Sequence, residues 1–593
     1  MKNKIQMFIK PGSKLAIQLR TYYHRLQAAP LVNSWHLARA ANSYLAWRLN
    51  QERTPLPVIN PQQIKPEVAF FLHFEPDQFD KTVATIHSLL ALISPGWKAL
   101  LITSEDFQPT LPVKIATDKR VTLFNLAHTN LSCLYDQVSS DYVIHCQPGD
   151  IFHESLLDHF YQYHKSLPKA DAFYYDCEYQ DKNTSQVLPF FKPSAFSPEL
   201  LLSVNYPSRG FISTSRVLQL AGKSDKNLSL QNRELDLILR LVENNATFQH
   251  IPKVLIRQAE LSEPVDIQTD VVISSHLERT GRIDPCIARG EHGTRISWKV
   301  SNPSVSIIIP SKNNFHLLSN LVESIISEKD YPNYSITIID NASDNPELLD
   351  YYRSLEKHQN VNIVQYDKPF NYSEAINLGV EKTDSELVLL LNNDMKVIDP
   401  WWLSELAQWA MRPEIGVVGG KLLRANHTIQ HAGIILGMNG FMGHLYLNAP
   451  EHYCGLLGSA DWYHNLYAVT GACQMVRREL FNKVGGYDEN YRLVFGDVDF
   501  CLRVHDLGYR NMFTPFARLY HYEGKSRGYK TPIDDILRGY DQMAGRLKDE
   551  DPYFSPNLTY NPIPKCQLGH WTINDRMKNI EARRAIMEKG KLE

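Results

Sequence analysis

The sequence lacks any apolar run of about 18–20 residues, the length that an α-helix needs to cross a bilayer. Its longest apolar runs, such as Val68–Phe71 and Leu387–Leu391, have the length of β-strands. The N-terminus also lacks the compact apolar core and small-residue cleavage site of a secretory signal. We therefore expect a cytoplasmic protein without a transmembrane helix.

Paired cysteines and a surplus of charge are missing as well. The eight cysteines form no Cys-x-x-Cys pair, so neither a zinc site nor a disulfide framework is indicated. The formal net charge at pH 7 is -3, whereas a protein that binds nucleic acid needs a basic surplus to contact phosphates. We therefore predict no nucleic-acid partner.

Acidic residues are absent from residues 1–51, where lysines and arginines are interleaved with aromatic residues. Such a segment fits a helix that lies on an anionic membrane, here the inner face of the cell membrane. It equally fits a helical extension packed on the next domain, and its composition also admits a transit peptide. We predict a basic helical N-terminal extension over residues 1–56, followed by a proline-rich linker at Thr54–Pro66.

The length of 593 residues suggests about two to four domains, and two series of alternating strand and helix patterns follow the linker. We pair the segments that begin at Gly210 and Gly471. Three further pairs share an offset of 263 residues: Asp236 and Asp499, Arg240 and Arg503, Pro252 and Pro515. This repetition predicts a duplicated fold. The expected units are a first domain at 66–260, a linker at 261–300, a second domain at 301–530 and a helical C-terminal tail at 531–593.

The second series has clear strand signals. Val305–Ile309 is a β-branched run that ends at Pro310, as is typical of a buried parallel strand. Apolar residues at helical spacing follow it, and further strand patterns occupy Ile336–Ile339, Val361–Gln365 and Glu386–Leu391. This alternation predicts an α/β fold, with a mostly parallel sheet covered by helices on both faces.

Polar residues follow three of these strands. They occupy Pro310–Asn314, Asp340–Asp344 and Asn392–Asp394. Each group alone fits a turn or a helix cap, because Asn, Asp and Ser are common in both. Ligands of such sheets bind beyond the carboxyl ends of the strands, so three groups together favour a ligand site there.

These motifs resemble the family 2 glycosyltransferases of the GT-A (Rossmann-like) fold, and in particular tandem-domain bacterial enzymes of O-antigen or rhamnan-type polysaccharide synthesis. The resemblance covers roughly residues 300–560 strongly and 66–260 weakly. It is carried by Ser306-Ile-Ile-Ile-Pro-Ser-Lys312, Ile339-Asp-Asn-Ala-Ser-Asp344, Leu390-Leu-Asn-Asn-Asp394, Val469-Thr-Gly-Ala-Cys473, Gly496-Asp-Val-Asp-Phe-Cys-Leu-Arg503 and Tyr520-His-Tyr-Glu-Gly-Lys-Ser-Arg-Gly528.

The resemblance implies a role for several positions. Asp497 would be the catalytic base, and Asp394 with His521 would hold Mg²⁺ or Mn²⁺. The nucleotide side would comprise Pro310, Lys312, Asp340, Asn371, Asn392 and Asn393. Asn392 replaces the first acid of the family's Asp-x-Asp motif, and Gly496 replaces a Glu that many relatives have. The acceptor or sugar side would involve Gln430, His431, Asp499 and Arg527, although Asp499 also fits a structural brace and Arg527 a diphosphate contact.

The first series departs from the family pattern where a metal site is needed. It has Gln147-Pro-Gly149 there, and it has no clear match for the base-contacting acid near Ser104–Glu105. Glu234 keeps an acid at the position of Asp497, and Asp150 would serve as a metal ligand only if the loop shifted by one residue. Because the diphosphate lacks a counter-charge without metal ligands, we predict that the first domain is an inactive copy.

The resulting hypothesis is an inverting glycosyltransferase. It would move a sugar from a UDP or dTDP donor to a growing surface polysaccharide or a lipid-linked oligosaccharide. The alternative is a non-catalytic scaffold that binds glycans or nucleotide sugars. A processive synthase is disfavoured, because membrane spans and the Gln-x-x-Arg-Trp motif are absent. The basic tail from His570 fits either a second surface contact or a solvated end.

Overall fold

The computed structural model describes residues 44–51, 65–74, 76–103, 109–125, 140–180, 186–216, 228–258, 267–328, 330–522, 531–561, 568–569 and 571–592. Most of the predicted N-terminal extension, Ser104–Glu105 and Arg527 lie outside these ranges. No helix among the described residues has both the length and the apolar character needed to span a membrane.

The first half is built on a mixed sheet with helices packed on it. Nine strands of the described residues form the sheet in the order β3-β2-β1-β4-β8-β6-β9-β5, with β7 paired to β6. Its strands are β1 (Val68–Phe74), β2 (Trp97–Thr103), β3 (Val121–Asn125), β4 (Tyr142–Cys146), β5 (Ile151–Phe152), β6 (Ala172–Gln180), β7 (Val187–Phe190), β8 (Phe211–Thr214) and β9 (Phe248–Gln258). Its helices are α1 (Phe79–Leu90), α2 (Val113–Ala116), α3 (Leu156–Ser166), α4 (Pro198–Ser203) and α5 (Leu230–Glu243), with a 3-10 turn at Pro76–Gln78.

The range 261–300, expected as a linker, contains regular structure. It forms α6 (Ile267–Arg279) and an antiparallel hairpin of β10 (Ile283–Arg289) and β11 (Thr294–Lys299). The loop-like reading rested on Gly281, Gly290 and Gly293. Of these, Gly290 and Gly293 lie in the turn of the hairpin, where the Gly290 N–H donates to the carbonyl of Gly293.

The second half repeats the sheet of the first. Ten strands of the described residues follow the order β14-β13-β12-β15-β24-β17-β25-β16, with β18 paired to β17 and β23 to β25. The main strands are β12 (Val305–Ser311), β13 (Tyr334–Asp340), β14 (Val361–Gln365), β15 (Leu387–Leu391), β16 (Met395–Val397), β17 (Ile415–Leu423), β24 (Cys473–Arg477) and β25 (Arg510–His521). Shorter strands are β18 (Ile429–His431), β19 (Ile434–Leu436), β20 (Met442–His444), β21 (Cys454–Gly455), β22 (Gly458–Ser459) and β23 (His464–Leu466).

Helices cover this second sheet and form the tail. They are α7 (Phe315–Ser327), α8 (Pro346–Leu355), α9 (Tyr372–Glu381), α10 (Trp402–Ala410), α11 (Arg478–Lys483), α12 (Gly496–Asp506), α13 (Ile533–Lys548) and α14 (Ile573–Leu592), with a 3-10 turn at Met438–Gly440. All seven residues of β12 are buried, as expected of a parallel strand between two layers of helices.

The two sheets and the helices packed on them confirm the predicted α/β fold class.

The two sheets can be aligned by strand register. Val68 pairs with Tyr142 in the first sheet as Val305 pairs with Leu387 in the second. On the adjacent antiparallel strands, Tyr142 pairs with Thr214 and Leu387 pairs with Arg477. Thr214 and Arg477 are therefore equivalent, at the same offset of 263 residues. The pairing of Gly210 with Gly471 was wrong by two residues, because the register of the strands makes Gly210 equivalent to Cys473.

Polar contacts that are buried or partly buried join the two halves. Arg510 of β25 donates two hydrogen bonds to the carboxylate of Glu199 at 2.8 and 3.1 Å. The Ser197 hydroxyl donates to Asn465 Oδ1 at 2.6 Å, and Asn557 Nδ2 donates to Asp176 Oδ2 at 2.8 Å. The segment after α13 therefore contacts the first sheet.

The described part of the N-terminal extension, residues 44–51, is helical and packs on the first half. The Tyr44 hydroxyl donates to Glu178, and Arg48 donates to the carbonyl of Val254 at 2.9 Å. Trp47 contacts Phe191 edge to face. This turn fits the packed-extension interpretation.

Candidate functional site

A cleft of about 860 Å³ opens at the carboxyl ends of the central strands of the second sheet. Its wall contains residues from the strand ends and from the start of α12. A volume of several hundred Å³ is typical of small-molecule sites. Eight residues predicted from the sequence line it: Pro310, Lys312, Asn392, Asn393, Asp394, Gln430, Asp497 and His521.

Asp394 and His521 meet in this cleft. Antiparallel pairing of β16 with β25 sets Met395 opposite His521 and so brings the imidazole beside the preceding residue, Asp394. His521 Nε2 lies 3.1 Å from Asp394 Oδ1, and its Nδ1 lies 3.3 Å from Gln430 Oε1. A histidine whose Nδ1–H donates to Gln430 directs the Nε2 lone pair at the carboxylate. Two acceptors at this distance suit a shared cation, so the residues fit a divalent metal.

Asp497 is held by the backbone on one side of the cleft. Its Oδ2 accepts a hydrogen bond from the Gly471 N–H at 2.7 Å, and its Oδ1 accepts one from the Val498 N–H at 2.9 Å. Burial raises the pKa of Asp497, although these N–H groups and the Thr470 hydroxyl stabilise the charged form and oppose the shift. A fixed carboxylate with a raised pKa suits a general base.

The backbone before Asp497 adopts an unusual conformation. Phe495 precedes α12 with a φ of 69°, in the left-handed region that non-glycine residues rarely adopt. Such strain occurs often at functional sites. A Cβ at Gly496 would lie 2.8 Å from Ser373 Oγ, so a Glu at this position would require Ser373 to move.

Asn392 and Asn393 are fixed by neighbours in the cleft wall. Asn392 Oδ1 lies 3.1 Å from the Tyr372 hydroxyl, which also lies 3.0 Å from the carbonyl of Gly471. Asn393 donates to Ser311 Oγ at 3.2 Å. The loop after β15 is therefore tied to the strand end of β12.

Four predicted residues lie outside the cleft wall. Asp340 is buried, and its carboxylate accepts hydrogen bonds from Ser343 and from the Tyr352 hydroxyl. Asn371 caps α9 by accepting from the Glu374 N–H. His431 is buried behind the cleft, and Asp499 forms an ion pair with Arg503 at 2.8 Å, as the brace interpretation suggested.

The sequence reasoning missed His444 and Thr470, which line the cleft. His431 Nε2 accepts from the Gly433 and Thr470 N–H groups at 3.2 and 3.3 Å, and burial lowers the pKa of His431 well below its usual value. A neutral His431 therefore carries its proton on Nδ1 and donates it to His444 Nδ1 at 2.8 Å. No sequence spacing signalled this pairing, because it depends on how β18 and β20 pack.

The equivalent positions of the first sheet have other residues. The strand registers place Thr103 where the second sheet has Asp340, and Gly149 where it has Asp394. They also place Gln258 at the position of His521. The first half keeps an acid at two candidate positions: Glu234 is equivalent to Asp497, and Asp236 is equivalent to Asp499.

Arg209 occupies the space between these positions. Its guanidinium donates to Asp150 Oδ1 at 3.3 Å and to Gln258 Oε1 at 3.1 Å. Its backbone N–H donates to Glu234, whose pKa burial raises to about 7. The cavity left beside Arg209 and Glu234 measures about 20 Å³. Among the described residues, the first half leaves no room for a nucleotide sugar at this place.

These features define the class of the second half. Its sheet and cleft are those of a Rossmann-like GT-A domain. The sequence model described as "Glycosyl transferase family 2" matches residues 306–485, which include β13, β15 and Asp394. Residues 306–485 of this chain are therefore similar to the family 2 glycosyltransferases.

Two relatives cover a large part of this chain. The O-antigen biosynthesis protein RfbC of Myxococcus xanthus is 35% identical over 410 residues, which are 66% of this chain and 32% of that protein. The uncharacterized protein y4gI of Sinorhizobium fredii is 32% identical over 414 residues, 66% of this chain and 45% of that protein. This chain thus spans less than half the length of either relative.

Shorter and more distant likenesses also exist. An N-acetylglucosaminyl-diphospho-decaprenol L-rhamnosyltransferase of Mycobacterium tuberculosis is 37% identical over 60 residues, 10% of this chain and 20% of that protein. A solved structure of a mannosyltransferase of Pyrobaculum calidifontis, in complex with GDP-Man and Mn²⁺, is 18% identical to this chain, with a TM-score of 0.32. The match covers 43% of this chain and 67% of that chain.

Proposed function

We propose that the second half transfers a sugar, with inversion, from a UDP or dTDP donor to the glycan or lipid-linked glycan acceptor of a bacterial surface polysaccharide. The observation that carries this proposal is the meeting of Asp497, Asp394 and His521 in one 860 Å³ cleft. The names of the O-antigen and rhamnosyltransferase relatives support the substrate class.

The reaction is a single displacement. Asp497 accepts the proton of the acceptor hydroxyl as that oxygen forms a bond to the anomeric carbon. The bond between this carbon and the diphosphate oxygen breaks, and its electron pair leaves with the nucleoside diphosphate. One base without a second nucleophile implies inversion at the anomeric carbon.

Asp394 and His521 would hold the divalent cation, Mg²⁺ or Mn²⁺. Such an ion neutralises the charge that grows on the leaving diphosphate. Gln430 fixes the orientation of His521 through the hydrogen bond to Nδ1. Lys312, which lines the same cleft, adds a positive charge for the diphosphate.

We also propose that the first half is catalytically silent. Arg209 supplies a positive charge from within the protein at the place that corresponds to the cation and diphosphate site. Gly149 and Gln258 replace the two candidate metal ligands. The first sheet then serves as a structural partner of the second.

The test is a donor screen with purified protein and Mn²⁺ or Mg²⁺. Asp497→Asn should lower the turnover about 10²- to 10⁴-fold, because a positioned base contributes that much. Asp394→Ala should also remove most transfer, because the leaving group loses its counter-charge. Sugar-nucleotide hydrolysis in the absence of acceptor separates an enzyme from a binding scaffold.

Glu234→Gln is the matched control, because Glu234 is the equivalent carboxylate of the first sheet. It should leave transfer unchanged. Wild-type rates in both Asp497→Asn and Asp394→Ala would refute the site assignment. A loss of transfer in folded Glu234→Gln would refute the silent first half.

A further inference from the structure

A cluster of three metal-binding residue types lies outside the cleft. It comprises His292, at the turn of the β10–β11 hairpin, with His452 and Asp461 of the second half. One ligand atom of each residue lies within 4.8 Å of the other two. Among the residues that the structure describes, this is the one such group of three.

One distance within the cluster matches the spacing of neighbouring ligands on a metal ion. His452 Nδ1 lies 3.0 Å from Asp461 Oδ2. When an ion binds its ligands at about 2.1 Å, two neighbouring ligand atoms are themselves separated by roughly 3 Å. The His292 and His452 rings are stacked with centroids 3.7 Å apart. The two imidazoles therefore lie side by side at one place.

A buried lysine fixes the orientation of the Asp461 carboxylate. Lys421 Nζ donates to Asp461 Oδ1 at 2.7 Å, and the Lys421 side chain is fully buried. Outer hydrogen bonds of this kind orient the carboxylates that bind metals. The two histidines keep 45% and 34% of their side chains exposed, which gives an ion a route from solvent.

The hairpin also approaches this place closely. A Cβ at Gly293 would lie 2.8 Å from the carbonyl oxygen of Asp461, so a larger residue would push the turn away. The Ile296 N–H of β11 donates to the Tyr463 hydroxyl at 3.1 Å, which fixes the hairpin on the same segment. His292 is thereby kept beside His452.

We propose that His292, His452 and Asp461 bind a transition-metal ion, with Zn²⁺ as the best match. Two imidazoles and one carboxylate are a set that Zn²⁺ accepts, and water would complete the coordination. The ion would cross-link the β10–β11 hairpin to the second half. This site is separate from Asp394 and His521, and the proposal is independent of the glycosyltransferase mechanism.

Calorimetric titration of metal-free protein with Zn²⁺ tests the proposal. All proteins would carry Asp394→Ala, so that the cleft contributes little to binding. His292→Ala and His452→Ala should each weaken Zn²⁺ binding at least tenfold. Zn²⁺ should also raise the thermal midpoint of the parent but not of these two variants, because an ion that binds only the folded state stabilises it.

His427→Ala is the matched control, because His427 is another exposed histidine of this surface and hydrogen-bonds Glu451, next to His452. It should bind Zn²⁺ like the parent. Equal affinity in all four proteins, or an equal loss in His427→Ala, would overturn the proposed site. X-ray absorption at the zinc edge should show nitrogen and oxygen ligands without sulfur, and a sulfur shell would also overturn it.

Discussion

Hydrogen bonds around Asp497 set both the pKa and the orientation of its carboxylate. Burial raises the pKa of Asp497, and the backbone N–H groups of Gly471 and Val498 together with the Thr470 hydroxyl limit the rise. The same contacts orient both carboxylate oxygens. The proton affinity and the position of this group therefore depend on the same few neighbours.

Thr470→Val should shift the acid limb of the pH–activity profile to higher pH. The hydroxyl favours the charged form of Asp497, so its loss raises the pKa further, and the base becomes protonated at a higher pH. The measurement is kcat/KM for transfer as a function of pH. Thr470→Ser, which keeps the hydroxyl, should restore the wild-type profile. Overlapping acid limbs for Thr470→Val and wild type would exclude Asp497 as the titrating base.

At the level of elements, close packing of α9 on the sheet positions the loop that lines the cleft. Gly379 of α9 faces β12 and β13, where an added Cβ would lie 2.3 Å from Ile308 Cγ2 and 3.2 Å from Ile339 Cδ1. Asn371 caps the same helix, next to the cleft residues Phe370 and Tyr372. The position of this wall thus depends on a helix that can approach the strands closely.

Gly379→Ala should destabilise the protein by about 1–3 kcal/mol, because the extra methyl overpacks the contact with β12. Gly545→Ala is the matched comparison, because Gly545 lies in α13 with nothing within 4 Å of an added Cβ. It should stabilise the protein by up to about 1 kcal/mol through helix propensity. Thermal unfolding midpoints measure both. A shift of the same sign in the two variants would contradict this packing argument.

For the whole molecule, duplication has produced one open cleft and one filled site. The strand orders of the two sheets match, but Arg209 fills the first site while Asp394 and His521 face a cleft in the second. The ion pair of the buried Glu199 and the partly buried Arg510 joins the halves. The first sheet therefore contributes contacts that support the second.

Glu199→Gln should lower the thermal midpoint, at a cost of about 1–3 kcal/mol, because the partly buried Arg510 loses the charged acceptor of two hydrogen bonds. Burial alone would raise the pKa of Glu199, but Arg510 outweighs it and lowers the pKa to about 2. The stabilisation is therefore present above the ordinary glutamate pKa and is lost as the pH falls toward 2. The variant should show less acid destabilisation over this range.

Asp350→Asn is the control for this ion pair, because Asp350 and Arg353 are both 72% exposed. Exposed pairs contribute at most about 1 kcal/mol. A thermal midpoint of Glu199→Gln equal to that of Asp350→Asn would show that the pair does not hold the halves together.

The sequence alone determined the α/β class, the repeated pattern of the two halves and the polar loops at the strand ends, because buried parallel strands and their polar ends leave a local pattern. The role of Asp497 came instead from a family resemblance and stays a prediction. Only the tertiary structure decided which of these residues share a cleft. It placed Asp340 and Asn371 in turn and cap contacts, brought His444 beside His431, and filled the first site with Arg209. Such contacts join strands far apart in the chain, so sequence spacing does not encode them.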